Sequence, residues 1–214
     1  MKKELKNLIE QVEKKKKYLA SIRQMQIASV HRFILYSLSK GQLVESHDIA
    51  NNLNIDIGIT TKHLQTLDEK DIIKFKEGKI KSAYPFATKP TRHEVKIANQ
   101  NRTFALCAID ALGIPSMMRK DVLVTSSCPY CERSITIEFK GEKITTKPNN
   151  SIVWQPTKKI EGKVADDLCP HIDFFCNTKH AGSWQEKVGY EGISLSLEES
   201  IEIGKFIFGG FLKE

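Results

Sequence analysis

Thiols and one carboxylate are the groups in this sequence best suited to chemistry. Cys107 and Asp110 lie three residues apart in the apolar run 104–112, and Cys169 and His171 follow much later in the chain. Positions i and i+3 of a helix share a face, so the thiol and the carboxylate are predicted to point the same way. We therefore predict that Cys107, Asp110 and Cys169 form one site that handles a soft metal.

A plainer interpretation exists for each of these residues. A free cysteine in an apolar run is often a small buried hydrophobe, which would explain Cys107 without any chemistry. Asp110 argues against this, because a carboxylate among apolar neighbours is costly to bury unless it is paired or protonated. His171 would share a face with Cys169 in an extended strand, as a ligand, as a hydrogen-bond donor to a ligand, or as an ordinary core histidine.

Cys128 and Cys131 form a Cys-x-x-Cys pair, which is typical of a zinc half-site or a redox pair. Zinc would need two more ligands, and Cys169 with His171 or Cys176 could supply them. A redox pair is expected at a helix start in a thioredoxin-like unit, and the surrounding strand pattern does not give one. Structural zinc is therefore possible but is not the favoured interpretation.

Cysteine usage and charge narrow the class of protein. All five cysteines lie in the second half, and an odd number in a chain without an export signal argues against a disulfide framework. No apolar run reaches membrane-spanning length, so the chain is expected to be cytoplasmic. The net charge is +7, but residues 1–24 hold eight Lys/Arg and three Asp/Glu, so +5 of it lies there. This basicity indicates a solvated N-terminal helix more than a nucleic-acid surface.

The first part of the chain predicts an N-terminal domain over residues 1–84. A polar helix over 4–22 precedes helices over 27–39, 47–53 (capped by Ser46) and 60–70, and a hairpin over 72–81 follows. This order is that of a winged helix-turn-helix. The presumed recognition helix carries one early cation and no arginine, so DNA is an unlikely partner.

Residues 85–214 predict a second, catalytic α+β domain with a mostly antiparallel sheet. A helix through Cys107 is expected to break at Gly113 and restart at Pro115. Strands are expected over 93–97, 122–125, 134–139, 143–146, 152–154, 172–176 and 192–195, with a helix over 178–188. Ser196 and Glu199 form a capping box for a final helix that runs to about 212.

Two segments of this second domain resemble the signature segments of the organomercurial (alkylmercury) lyases. They are FALCAIDALGIP at 104–115 and CPHIDFF at 169–175, and the resemblance extends over about residues 27–212. It implies that Cys107, Asp110 and Cys169 are catalytic, and that Cys128 has a structural role. Cys131 and Pro170 depart from the pattern of some family members, without removing a catalytic residue.

The chemistry of these residues fits that family. Mercury is soft and prefers thiolate ligands, so Cys107 and Cys169 can hold the metal while Asp110 protonates the departing carbon. An apolar site and a nearby thiolate should raise the pKa of Asp110 above ~3.9, and Asp110 could first accept the Cys107 proton. No cofactor is expected. Hg(II) remains as product, and the resemblance implies that small thiols or a mercuric reductase collect it.

The alternative function is a thiol-based, mercury-sensing winged-helix transcription regulator. The low positive charge of the presumed recognition helix argues against DNA binding and therefore against a regulator. A non-catalytic zinc module would explain Cys128 and Cys131, but it leaves Asp110 without a purpose.

Overall fold

The computed structural model describes residues 13, 16–22, 24–157, 162–189 and 191–212. Its helices are α1 (Gln26–Ser39), α2 (Ser46–Leu53), α3 (Ile57–Glu69), α4 (Ala108–Met118), α5 (Val164–Asp167), α6 (Thr178–Val188) and α7 (Leu197–Phe208). A single 3₁₀ turn, Cys169–His171, follows α5 within this described part. Of the predicted polar helix over 4–22, residues 4–12, 14 and 15 lie outside the described residues, and residues 13 and 16–21 are helical.

The strands form two antiparallel sheets. They are β1 (Ile73–Lys76), β2 (Lys79–Ala83), β3 (Phe86–Ala87), β4 (Glu94–Ile97), β5 (Arg102–Ala105), β6 (Val122–Ser127), β7 (Ser134–Lys140), β8 (Lys143–Lys147), β9 (Ile152–Pro156), β10 (Asp173–Phe175) and β11 (Gly192–Leu195). The large sheet has the order β1-β2-β3-β5-β4-β6-β7-β8, and the small sheet has the order β10-β9-β11. This confirms the predicted α+β class with a mostly antiparallel sheet.

The N-terminal elements follow the predicted order of three helices and a hairpin, and the sheet continues past them. β2 pairs with β3 through Ala83 and Phe86, so main-chain hydrogen bonds cross the predicted boundary at residue 84. The division into two domains and the winged-helix assignment stay predictions.

Two helix starts differ from the predicted ones because of capping. Glu45, and not Ser46, is the N-cap of α2, in a reciprocal box in which the Glu45 N–H donates to Asp48 Oδ2 at 2.8 Å. α3 begins at Ile57 and not at residue 60, because Asp56 Oδ1 accepts from the backbone N–H groups of Gly58 and Ile59. A short polar side chain before a helix satisfies N–H groups that the helix leaves free.

The predicted helix is wrong in two respects: it does not include Cys107, and it does not break at Gly113. Residues 102–105 form β5, paired with β3 and β4, so α4 starts only after Cys107. α4 then runs through Gly113 without a break, with Pro115 inside it. Gly113 is explained by packing: a β-carbon there would lie 2.9 Å from Gly204 O of α7 and would overlap the Phe208 ring.

Large apolar side chains fill the space between the small sheet and the helices. Trp154, Phe174, Phe175 and Phe208 are each at most 1% exposed. In the described residues, no helix has both the length and the apolar character needed to cross a membrane.

Candidate active site

Cys107 caps the helix that also carries Asp110. Its backbone is extended (φ −150°, ψ 176°), and its Sγ accepts from the Asp110 backbone N–H at 3.4 Å. The thiol therefore stands at the N-terminus of α4, in the position that an oxygen side chain usually occupies. The Cys107–Asp110 proximity predicted from helical spacing arises from capping instead.

Cys169 opens the 3₁₀ turn between α5 and β10. Its Sγ donates to Asp110 Oδ2 at 3.7 Å. The Ala108 N–H donates to Ile172 O at 3.0 Å, which joins the start of α4 directly to the segment that follows Cys169. The predicted strand from residue 172 begins one residue later, because this turn occupies residues 169–171.

The three predicted catalytic side chains come together in a buried apolar pocket. Cys107 Sγ, an Asp110 carboxylate oxygen and Cys169 Sγ all lie within 4.8 Å of one another, and the residues are 2%, 5% and 3% exposed. The cavity beside them has a volume of about 80 Å³. Its apolar lining includes Ile109, Leu168, Ile172, Ile203, Ile207 and Phe208.

The environment keeps Cys107 protonated. Burial raises the pKa of Cys107 well above 9, and the hydrogen bond with Cys169 and the negative charge of Asp110 act in the same direction. The Asp110 N–H opposes them by favouring the thiolate, as a helix N-terminus does. Burial is the larger effect, so at neutral pH the site stores a thiol proton.

Tyr84 also lines the pocket, and the sequence analysis did not identify it. Its hydroxyl accepts from the Ala165 backbone N–H at 2.6 Å and lies 3.3 Å from Asp71 Oδ1. Burial raises the pKa of Tyr84 above 10, and the charges of Cys169 and Asp110 add to this effect. An aromatic residue beside a proline gives no sequence signal for such a position.

A network of polar contacts anchors β10 to the large sheet. Asp173 Oδ1 lies 3.4 Å from His93 Nε2 and 3.6 Å from Arg92 Nε. The His93 Nδ1 is 3.1 Å from Ser126 Oγ of β6. These contacts hold the strand that follows Cys169 against β4 and β6.

A second group of reactive side chains lies at the other end of β10, and we call it the second thiol cluster. It consists of Cys128, Cys131, Cys176 and His180, whose ligand atoms lie within 4.8 Å of one another. His171, predicted from sequence to accompany Cys128 and Cys131, belongs to neither group in the described residues. Cys176 was named from the sequence as a possible ligand and His180 was not; the spacing Cys176-x-x-x-His180 was the available signal for that histidine.

The side chains of this cluster differ in their exposure and surroundings. The Arg133 backbone N–H bonds to the Cys131 thiol and lowers the pKa of Cys131 below 9. Cys131 is the exposed cysteine of the cluster, whereas Cys128 and Cys176 are buried. His180 stacks at a tilt on Tyr130, with ring centroids 5.0 Å apart.

Comparison with known proteins identifies the family. The alkylmercury lyase family model, MerB, matches residues 86–209, which is more than half of the chain. The chain belongs to the alkylmercury lyase family. The alkylmercury lyase of Staphylococcus epidermidis is 23% identical over 177 residues, covering 82% of this chain and 80% of that protein. The enzyme of Bacillus cereus is also 23% identical over 177 residues, with 82% and 79% covered.

A solved structure gives the same fold. The crystal structure of the mercury-bound form of MerB2 matches with a TM-score of 0.77 at 23% identity, covering 95% of this chain and 99% of that chain. The family match and the curated relatives make the chain an alkylmercury lyase, and the cluster of Cys107, Asp110 and Cys169 is consistent with its catalytic site.

Proposed function

We propose that Cys107, Asp110 and Cys169 cleave the carbon–mercury bond of organomercurials by protonolysis, giving a hydrocarbon and Hg(II). The observation that carries this proposal is the meeting of two thiols and one carboxylate within 4.8 Å in a buried pocket. Two sulfurs suit a soft metal ion, and the carboxylate is placed to carry a proton.

The first step is capture of the substrate, written R–Hg–SR′ for an organomercurial bound to a small thiol. Cys107 Sγ binds mercury, and the displaced small thiolate takes up the Cys107 proton and leaves as R′SH. Cys169 Sγ then binds the same mercury and gives its proton to Asp110. The hydrogen bond from Cys169 to Asp110 Oδ2 favours Cys169 over Cys107 as the source of that proton.

The second step breaks the carbon–mercury bond. Asp110 delivers its proton to the carbon, the electron pair of the broken bond forms the new C–H bond, and R–H leaves. Mercury remains as Hg(II) bound by the Cys107 and Cys169 thiolates. The sum is R–Hg–SR′ plus two protein thiols, giving R–H, R′SH and the bis-thiolate complex.

The apolar pocket supports both steps. Its lining accommodates the R group and keeps water from the carboxylate. The three side chains supply the metal ligands and the proton, so the reaction requires no cofactor. We further infer that small thiols or a mercuric reductase remove Hg(II), and that the free cysteines operate in the reducing cytoplasm.

The test is a turnover assay with methylmercury or phenylmercury, excess small thiol and D₂O as solvent. The wild-type chain should release hydrocarbon carrying one deuterium, together with Hg(II). Asp110→Asn should lower turnover by about 10²–10⁴-fold, the range for loss of a general acid, and should still bind Hg(II) through two sulfurs. Cys107→Ser and Cys169→Ser should lose both turnover and bis-thiolate binding.

Asp121→Asn is the matched control, because it makes the same change at an exposed position and keeps an acceptor for the Gly141 N–H. It should leave turnover unchanged. Wild-type rates in Asp110→Asn would exclude Asp110 as the proton donor. Hydrocarbon without deuterium would exclude protonolysis.

A further inference from the structure

The second thiol cluster joins two separate parts of the fold. Cys128 and Cys131 lie in the turn between β6 and β7 of the large sheet, and Cys176 and His180 lie where β10 of the small sheet leads into α6. Cys131 Sγ is 3.7 Å from Cys176 Sγ, and Cys128 Sγ is 3.7 Å from His180 Nδ1. None of these residues belongs to the catalytic group.

These distances are those of ligands around one tetrahedral ion. Zn–S bonds of about 2.3 Å and Zn–N bonds of about 2.0 Å place the ligands of a tetrahedral site about 3.5–3.8 Å apart. Both 3.7 Å separations fit this spacing. The Cys131–Cys176 separation is far longer than the ~2.05 Å of an S–S bond, so these two sulfurs are free thiols and not a disulfide.

The backbone around the cluster is already shaped for an ion. In the Cys128–Cys131 turn, the Glu132 N–H donates to Cys128 O at 2.8 Å and the Cys128 N–H donates to Arg133 O at 3.0 Å. Glu132 adopts φ 58°, which turns the chain back so that the Arg133 N–H bonds to Cys131. Such N–H donation stabilises a thiolate, which is the form of cysteine that binds metals.

The histidine is held in the same way. Asn177 caps α6, and its side-chain oxygen accepts from the His180 N–H at 2.9 Å. His180 thereby stands in the first helical turn, with Nδ1 facing Cys128 and its ring against Tyr130. The imidazole is fixed toward the sulfurs by contacts that no metal is needed to form.

We propose that Cys128, Cys131, Cys176 and His180 bind one structural Zn²⁺ ion. Three thiolates and one imidazole form one of the usual ligand sets of structural zinc, and four protein ligands leave no open position for a substrate. The ion would link the β6–β7 turn to the end of β10. Since β10 follows Cys169, the zinc site would also fix the segment that bears one catalytic thiol.

The experiment is elemental analysis of the full chain purified from mercury-free, zinc-containing medium under reducing conditions. We expect about one zinc per chain, with X-ray absorption showing three sulfur ligands and one nitrogen ligand. Cys131→Ser and Cys176→Ser should lower the zinc content several-fold. The double variant Cys107→Ser/Cys169→Ser is the control, because it removes two thiols that lie outside the second thiol cluster, and it should keep its zinc.

Several results would overturn the proposal. One is a folded wild-type chain that remains zinc-free after reconstitution, and another is a disulfide between Cys131 and Cys176 in that chain. A third is loss of zinc in the double variant Cys107→Ser/Cys169→Ser. Binding of Hg(II) alone at the cluster would also overturn it. If Cys131→Ser or Cys176→Ser fails to fold, the absorption spectrum of the wild-type chain still decides. Zinc content is measured without turnover, so its outcome is independent of the proposed catalytic roles.

Discussion

Tyr84 is the residue whose hydroxyl connects the pocket of Cys107, Asp110 and Cys169 to the segment that leads into Cys169. It accepts from the Ala165 N–H, and Ala165 belongs to α5, which ends just before Cys169. Tyr84 makes no bond change in the proposed reaction. We interpret it as a positioning residue that sets where Cys169 stands relative to Asp110.

Tyr84→Phe tests this role. Removing the hydroxyl leaves the buried Ala165 N–H without its acceptor, which should lower the free energy of unfolding by about 1–3 kcal/mol. We expect kcat to fall while the stoichiometry of Hg(II) binding stays the same, as measured by turnover kinetics and mercury titration. Tyr36→Phe removes a hydroxyl at an exposed position of α1 and should change neither quantity. An unchanged kcat in Tyr84→Phe would restrict the residue to a purely structural role.

At the scale of elements, the crossing of α4 and α7 determines the shape of the pocket. Gly113 and Gly204 lie against each other, and a β-carbon on Gly204 would be 2.8 Å from the Gly113 nitrogen. This close approach places Ile203 and Ile207 in the lining of the pocket that also contains Cys107 and Asp110. The two glycines thus allow α7 to pack closely against α4, and a larger residue at either position would push the two helices apart.

Gly113→Ala should therefore destabilise the protein. The added methyl group overlaps Phe208 and Gly204, and overpacking of this kind costs about 1–3 kcal/mol, measured by urea unfolding. Gly182→Ala in α6 is the matched control, because nothing lies within 4 Å of the position that its added methyl group would occupy. Alanine there should stabilise the chain by up to about 1 kcal/mol through helix propensity. Equal effects of the two substitutions would contradict the close-packing account.

At the scale of the whole molecule, a buried histidine makes stability depend on pH. Burial, with a smaller effect from Arg32, lowers the pKa of His31 to about 4. In the described part of the chain, His31 Nε2 has no hydrogen-bond partner. The unfolded chain takes up a proton near pH 6.5 and the folded chain only near pH 4, so acid favours unfolding in this interval.

We expect the free energy of unfolding to be greatest above about pH 6.5 and to fall by about 3 kcal/mol from His31 alone as the pH approaches about 4. Denaturant titrations at about pH 7 and about pH 4.5 measure the loss. His31→Leu should remove this contribution, whereas His47→Gln, which changes an exposed histidine of α2, should retain it. The same acid sensitivity in His31→Leu would assign the effect to other groups.

The sequence predicted most of the elements because their signals are local. α6, β11 and the Ser196 capping box lie where the residue pattern places them. β3 and β5 escaped prediction because they are short and gain their stability from strands distant in sequence. The continuity of α4 was not predicted because Gly113 is required by its packing against α7, which is distant in sequence, and not by a local turn.

The candidate sites show the same division. Cys107, Asp110 and Cys169 could be named from their residue types, since a carboxylate in an apolar run needs an explanation. Tyr84 could not, because its phenol acquires its significance only from what the fold places beside it, and His180 was missed although it follows Cys176 by four residues. The structure places Cys176 and His180 beside Cys128 and Cys131, whereas the sequence had suggested Cys169 with His171 or Cys176.

The three-residue strand β10 has a sulfur-bearing group at each end. Cys169 precedes it and Cys176 follows it, and each thiol must reach a different set of partners while the strand keeps its register with β9. An inserted or deleted residue between the two cysteines would move one of them away from its partners. In related chains that carry both groups, insertions and deletions should therefore fall outside 169–176. Within this segment we expect related chains to differ by substitution alone.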